Sequence, residues 1–198
     1  KLSYDFRNPL YDASTSSFDK SESKTITNNL TLRWDIWKGF YLTGSFSYSL
    51  SDSQSDKFVS PDHSSFETET DPGKRGSYFI SNMRGKSWQA RIGLTYSKTL
   101  SDNGSILTLN VGANANKSNS NSNSFSGIGF LKGNLTDMAF ANSYPTNGQP
   151  SGSESLSSSV GVFGNLNIIF LNRYFVDGSY RVSGSSKFGK DRRFAPFW

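Results

Sequence analysis

The stretch SWQARIGLTYSKTLSDNGSILTLNVGANA, Ser87 to Ala115, alternates apolar and polar residues, breaks at a turn signal, and then alternates again. Trp88, Ala90, Ile92, Leu94, Tyr96 and Leu100 share one parity, and Gln89, Arg91, Thr95, Ser97 and Thr99 share the other. Asp102-Asn103-Gly104 supplies residues that tolerate positive φ. Beyond it Leu107, Leu109, Val111, Ala113 and Ala115 alternate with Thr108, Asn110 and Asn114. Successive side chains of a strand point to opposite faces, so this stretch predicts a β-hairpin with one apolar and one polar face.

Working outward, the same pattern recurs on both sides. Thr25 to Ile36 sets Ile26, Leu30, Leu32, Trp34 and Ile36 against Thr27, Asn29, Thr31, Arg33 and Asp35. Phe40 to Leu50 continues it with Phe40, Leu42, Phe46, Tyr48 and Leu50. Ser159 to Phe170 and Tyr174 to Ser183 form a third pair, with Val160, Val162, Leu166, Ile168, Phe170, Tyr174, Val176, Tyr180 and Val182 opposed by Asp177, Ser179, Arg181 and Ser183. The links within pairs are short: Trp37-Lys38-Gly39, Ser101 to Gly104 and Leu171-Asn172-Arg173. Those between pairs, Ser51 to Lys86 and Lys117 to Leu156, far exceed hairpin loops.

Strands of about ten residues suit a tilted crossing of a hydrocarbon layer, and tight turns alternating with long outer loops mark transmembrane barrels. The expected fold class is therefore all-β: a segment of a larger antiparallel transmembrane β-barrel. It holds roughly six strands in three hairpins, with short periplasmic turns and long extracellular loops. Such a wall exposes its apolar face to lipid and its polar face to the lumen. On this reading Arg33, Asp35, Gln89, Arg91, Asp177 and Arg181 face the lumen, while Trp34, Trp37, Phe40, Phe170 and Tyr174 gather at the inner membrane interface.

Composition agrees. The 198 residues carry a net charge of +5, no cysteine, 34% hydrophobic residues and a mean hydropathy of -0.54. That leaves a thin core for a water-soluble domain, whereas a barrel wall needs only one apolar face. No window approaches the roughly 20 apolar residues of a spanning helix. Aromatic residues reach 15%, which suits membrane interfaces and sugar-binding surfaces alike. Lys and Arg are interspersed with Asp and Glu rather than clustered, which argues against nucleic acid.

The loops hold decoys as well as candidates. Asp52, Asp56, Asp62, Glu67, Glu69 and Asp71 lack the spacing of an EF-hand. His63 is the only histidine, so no particular Ser-His-Asp set is selected. Gly184 to Lys190 matches a P-loop until Asp191 replaces the Ser or Thr that would hold magnesium. No catalytic residue, metal site or cofactor is expected. Lys117 to Phe125, nearly all Ser and Asn, reads as a loop tip, and exposed rings at Tyr78, Phe79, Phe130 and Tyr144 are the candidates for contact with cargo or a partner. Lys1 to Phe6 contains no apolar signal segment, and Phe194 to Trp198 carries no closing strand, so the chain is expected to be an internal piece of a longer protein.

Asn172-Arg173-Tyr174-Phe175-Val176-Asp177-Gly178-Ser179-Tyr180-Arg181, running on through Gly184 to Gly189 and Arg193 to Trp198, resembles SusC/RagA-type TonB-linked outer-membrane transporters of Bacteroidetes. Asn8 to Ala13, Lys74 to Asn82 and Pro150 to Ser155 are similar to other pieces of that family's barrel. The resemblance implies that residues 1–198 belong to the barrel domain of a parent with about 22 strands, the plug and signal peptide lying outside this chain. It further implies a bacterial outer-membrane location and active import of oligosaccharides or peptides. The implied partners are a SusD-like surface lipoprotein and the TonB complex, the latter through the plug. The competing expectations are a secreted all-β carbohydrate-binding or adhesin module with a dry sandwich core, and a surface glycosidase using loop carboxylates.

Overall fold

The computed structural model describes residues 9–101, 104–189 and 193–198. A short helix α1 (Pro9–Ser14) precedes seven strands: β1 (Phe18–Trp37), β2 (Phe40–Val59), β3 (Ser77–Ser101), β4 (Ser105–Ile128), β5 (Ser151–Phe170), β6 (Tyr174–Ser185) and β7 (Phe194–Phe197). They form one sheet in the order β1-β2-β3-β4-β5-β6-β7. Every strand therefore lies beside its sequence neighbours, the meander that short hairpin links impose.

The expected hairpins are present, with two corrections. First, the strands run well past their expected ends: β3 has 25 residues and β4 has 24. Lys117 to Phe125 is not a loop tip but the distal half of β4. There Ser122 and Ser124 Oγ bond Ser153 and Ser151 Oγ at 2.8 and 2.9 Å. When both faces of a strand are polar the period-two hydrophobic signal vanishes, although the backbone ladder continues. Second, the chain end is not strandless. β7 pairs antiparallel with β6, Val182 opposite Pro196 and Gly184 opposite Phe194. Four residues carrying a proline give no readable period, and proline is tolerated on a strand that lacks a further partner.

The short turns use left-handed backbone, expected from the sequence only in the turn at Gly104. Gly39 and Gly104 have φ of 78° and 84°; the Asp102-Asn103 part of the second turn lies outside the described residues. In the third turn Leu171 and Asn172 take φ of 55° and 52°, an uncommon choice for leucine. The Leu171 N–H donates to Ser105 Oγ at 3.2 Å, which helps hold it there.

Contacts divide the chain into two units. One comprises the segment through Lys24 with Ser51–Arg84 and Asn121–Glu154. Its core is aromatic: Phe58 and Phe130 are 0% and 1% exposed, Tyr78 is buried beside them, and Phe18, Ile80, Met138 and Ala141 pack on the cluster. The Phe58 and Phe130 rings meet edge to face at 5.1 Å. The two connecting loops are tied together, with Gly129 N–H on Gly76 O at 3.1 Å and Phe130 N–H on Arg75 O at 2.8 Å. Gly129 has φ of 80°, and a Cβ there would sit 2.1 Å from Gly73 O, so glycine is required.

The other unit, Thr25–Leu50, Gly85–Ser120 and Ser155–Trp198, has no buried apolar core among the described residues. Its faces are unlike. Across β5 and β6, Val162 opposes Val182, Ile168 opposes Val176 and Phe170 opposes Tyr174, while Asn165 opposes Ser179 and Asn167 opposes Asp177 on the alternate register. The apolar rows stand open: Leu30, Leu32, Trp34, Phe46, Ile92, Val111, Val160, Val162 and Val176 are all exposed. Trp37 stacks on Phe40 at 4.4 Å, so two of the aromatic residues expected at the inner interface do meet.

Removing a buried aromatic ring from a packed core costs about 3–5 kcal/mol. Phe130→Ala is expected to loosen the loop cluster by a comparable amount. Limited proteolysis should then cut within residues 129–150 under conditions that leave the parent chain intact.

Candidate functional site

The polar wall of the second unit is where the chain presents chemistry. Its residues alternate with the apolar rows, so each strand delivers one side chain to it every second position. On β1, Arg33 and Asp35 form an ion pair at 2.9 Å, and the Arg33 guanidinium also lies 4.2 Å from the Tyr41 ring centroid. On β6, Asp177 accepts a hydrogen bond from Asn167 Nδ2 of β5. Those charges are satisfied locally.

Arg91 and Arg181 differ. Arg181 donates through Nε to Ser183 Oγ at 2.7 Å and through Nη2 to Asn114 Oδ1 at 3.2 Å. Both residues border a groove of ≈ 640 Å³ whose lining includes Thr43, Asn110, Asn165, Ser179, Phe197 and Trp198. Thr43 Oγ1 donates to Gly93 O at 3.3 Å across β2 and β3. Gly93, on the same parity as Arg91, adds no side chain and keeps the groove concave. Gln89 is exposed on the same parity of β3.

Of the six residues expected on the polar face, the structure brings Arg91 and Arg181 to one groove, pairs Arg33 with Asp35, and leaves Gln89 and Asp177 outside the groove lining; sequence reading supplied their shared face but not these groupings. It missed Asn110, Asn165, Thr43 and Phe163. Their polar-face parity was readable, but which of many Thr and Asn residues converge depends on cross-strand register, which the sequence does not state.

The loop candidates divide. Tyr78 and Phe130 are not exposed rings but members of the aromatic core, a correction with a plain cause: successive residues of β3 point to opposite faces, so Tyr78 turns onto Phe58 and Phe130 while Phe79 turns away, and Gly129, with positive φ, lets the loop bring Phe130 inward. Phe79 and Tyr144 are 42% and 56% exposed and remain free to meet another molecule. Burial, with Asp56 and Asp137 contributing, pushes the Tyr78 phenol above its ordinary range.

One grouping that the sequence left unselected is brought together. His63 Nε2 lies 3.7 Å from Asp12 Oδ2, and His63 Nδ1 lies 3.0 Å from Ser65 Oγ. Asp12 accepts from the N–H and hydroxyl of Ser64 at 2.8 and 2.6 Å. Nδ1 also accepts the Ser65 N–H at 3.1 Å, capping the 3-10 turn Ser64–Phe66. The ring nitrogen nearest a hydroxyl is thus committed to the backbone, and the group reads as a loop clasp that anchors α1. The P-loop-like run begins inside β6, and its Lys190 and Asp191 lie outside the described residues.

Comparison with solved structures matches this fold to segments of transporter barrels. The RagAB peptide transporter aligns over 91% of this chain and 19% of that one, at 18% identity and a TM-score of 0.77. Its open-open state gives 18% identity over 92% and 19%, with a TM-score of 0.76. The siderophore receptor PiuA from Acinetobacter baumannii covers 85% of this chain and 26% of its own at 14% identity, with a TM-score of 0.50. The chain has the fold of a barrel segment of a TonB-dependent transporter, and it spans about a fifth of the RagAB chain that it matches. These neighbours are transporters and a receptor, not enzymes. No protein-family model matches the sequence, and comparison with curated proteins finds no significant match.

The raised phenol carries a pH consequence. A folded-state pKa above the unfolded value, about 10 for tyrosine, contributes stability that is fully present below pH 10 and lost as pH rises through the folded value. Resistance of the loop cluster to proteolysis is therefore expected to fall in that alkaline window, and Tyr78→Phe should remove this component of the fall.

Proposed function

We propose that this chain is part of the wall of an outer-membrane active importer, of the SusC type, that carries peptides or oligosaccharides. One observation carries the reading: a single sheet exposes continuous apolar rows on one face and a charged, hydroxyl-rich wall on the other. In water such rows would demand a covering layer, and the described residues supply none. In a bilayer they meet hydrocarbon directly, while the polar wall faces a hydrated lumen. The likeness in fold to a peptide transporter supports transport and favours peptides among the cargoes.

Residues 1–198 are then part of the barrel domain. The remaining strands and a plug lie elsewhere in the protein, TonB supplies energy through that plug, and a SusD-like lipoprotein sits over the outer loops. Phe79 and Tyr144 are the rings placed to touch that partner or the cargo. Arg33, Asp35, Gln89, Arg91, Asp177 and Arg181 face the lumen. The soluble sandwich reading would require the rows through Leu30, Trp34 and Val162 to be dry, and they are open.

Two measurements test this reading. Val162→Arg would place a charge in the lipid-facing row at a cost of roughly 2–4 kcal/mol near mid-membrane, so the intact protein should insert poorly. Asn165→Arg, on the alternate face, should insert normally. Cells lacking the gene should lose uptake of fluorescent peptides or oligosaccharides, and collapsing the proton gradient in wild-type cells should produce the same loss. Uptake that survives both treatments would contradict active import.

A further inference from the structure

The groove on the polar wall has a composition that selects its occupant. Among the described residues, Arg33 holds the carboxylate of Asp35 at 2.9 Å, and Arg84 holds that of Asp52 at 3.2 Å. Arg91 and Arg181 hold none. No Asp or Glu borders the groove that they share. Arg181 is also held in place, since Ser183 and Asn114 take two of its five donors and leave the rest for another acceptor. Arg91 has no hydrogen-bond or ion-pair partner among the described residues.

A second, independent feature lies beside them. Asn110 Oδ1 is buried within this wall and has no hydrogen-bond partner. A buried acceptor left unmade is costly, and such groups are ordinarily paired. This one borders the groove and faces a shortage of donors, whereas the arginines face a shortage of acceptors. A ligand that offers a carboxylate together with nearby N–H or O–H groups would satisfy both. Phe197 and Trp198 add rings along the groove, surfaces on which a peptide or sugar backbone can rest.

We infer that this groove is a binding station for a carboxylate borne by the cargo, with Arg91 and Arg181 as its cationic pair and Asn110 accepting from the cargo's neighbouring donor. The inference rests on the import reading above and narrows it: the transported molecules are acidic. Guanidinium matches carboxylate in planar, charge-assisted geometry, and a concave wall of one charge sign concentrates anions. The carboxylate can come from an acidic peptide or from a uronic-acid sugar, which share this chemistry.

The test uses the intact transporter purified from outer membranes and isothermal titration with four probes. Two are acidic, acetyl-triglutamyl amide and trigalacturonate. Two are neutral counterparts, acetyl-triglutaminyl amide and maltotriose. At least one acidic probe should bind more tightly than its neutral counterpart and weaken with added salt, and the one that binds identifies the source. Arg91→Gln and Arg181→Gln should each weaken that probe about tenfold or more, Arg91→Lys should retain part of the binding, and Asn110→Leu should weaken it while the salt dependence persists. Equal binding of acidic and neutral probes, or unchanged binding in both Gln variants, would overturn the inference. Should a Gln variant fail to fold, the probe and salt comparison on the parent protein still decides. Energised uptake of neutral cargo without acidic preference would sink only this inference, whereas loss of energised uptake altogether would sink the import reading beneath it.

Discussion

A strand that meets hydrocarbon has no water to turn to, so every backbone N–H and C=O along it must be bonded to a neighbouring strand. On the import reading that requirement makes a continuous antiparallel ladder the only acceptable form for the apolar rows, and the pleat then fixes which side chains leave on each face. Everything distinctive in this chain follows from that pairing. The short turns keep consecutive strands adjacent, the register of β5 with β6 sets Val162 beside Val182 and Asn167 beside Asp177, and the polar residues collect on one wall because of their parity. Within such a wall hydrophobic burial is not internal. The apolar side chains stand open on the sheet, and on the import reading proposed above the bilayer supplies what a second layer would supply in a sandwich.

The loop unit is stabilised differently. Phe18, Phe58, Tyr78 and Phe130 bury one another, and Gly76 and Gly129 permit the sharp backbone turns that join the two connecting loops. This small core is conventional: aromatic packing, capped 3-10 turns, and a clasp through Asp12, Ser64 and His63. It orders segments that composition alone suggested were loose, and it consumes two of the four rings first considered as contacts. Phe79 and Tyr144 stay outside it, which is why they, and not Tyr78 and Phe130, remain candidates for meeting a partner.

What could be read from the sequence follows the physics of contrast. Alternation between Leu30 and Thr31, or between Val176 and Asp177, is visible because the two faces of the sheet differ in polarity. Where both faces are polar, as for Ser118 to Ser124, contrast disappears and the strand reads as a loop. The turn at Gly104 was legible from residue type, while the left-handed Leu171 was not. In the groove, the charges at Arg91 and Arg181 were evident, but their convergence with Asn110 and Trp198 depends on the stagger between strands. Face was therefore predictable, and neighbourhood was not.

The central claim is that the two faces of this wall meet oil and water respectively. The most direct measurement places nitroxide labels singly at Val160, Val162, Phe163, Asn165, Leu166 and Asn167 of β5 in the intact protein, reconstituted in a bilayer. Collisions with dissolved oxygen and with a water-soluble nickel chelate are then compared. Labels at Val160, Val162 and Leu166 should collide with oxygen, and those at Phe163, Asn165 and Asn167 with the chelate or with protein packed in the lumen. Identical accessibility along the whole series would contradict the account.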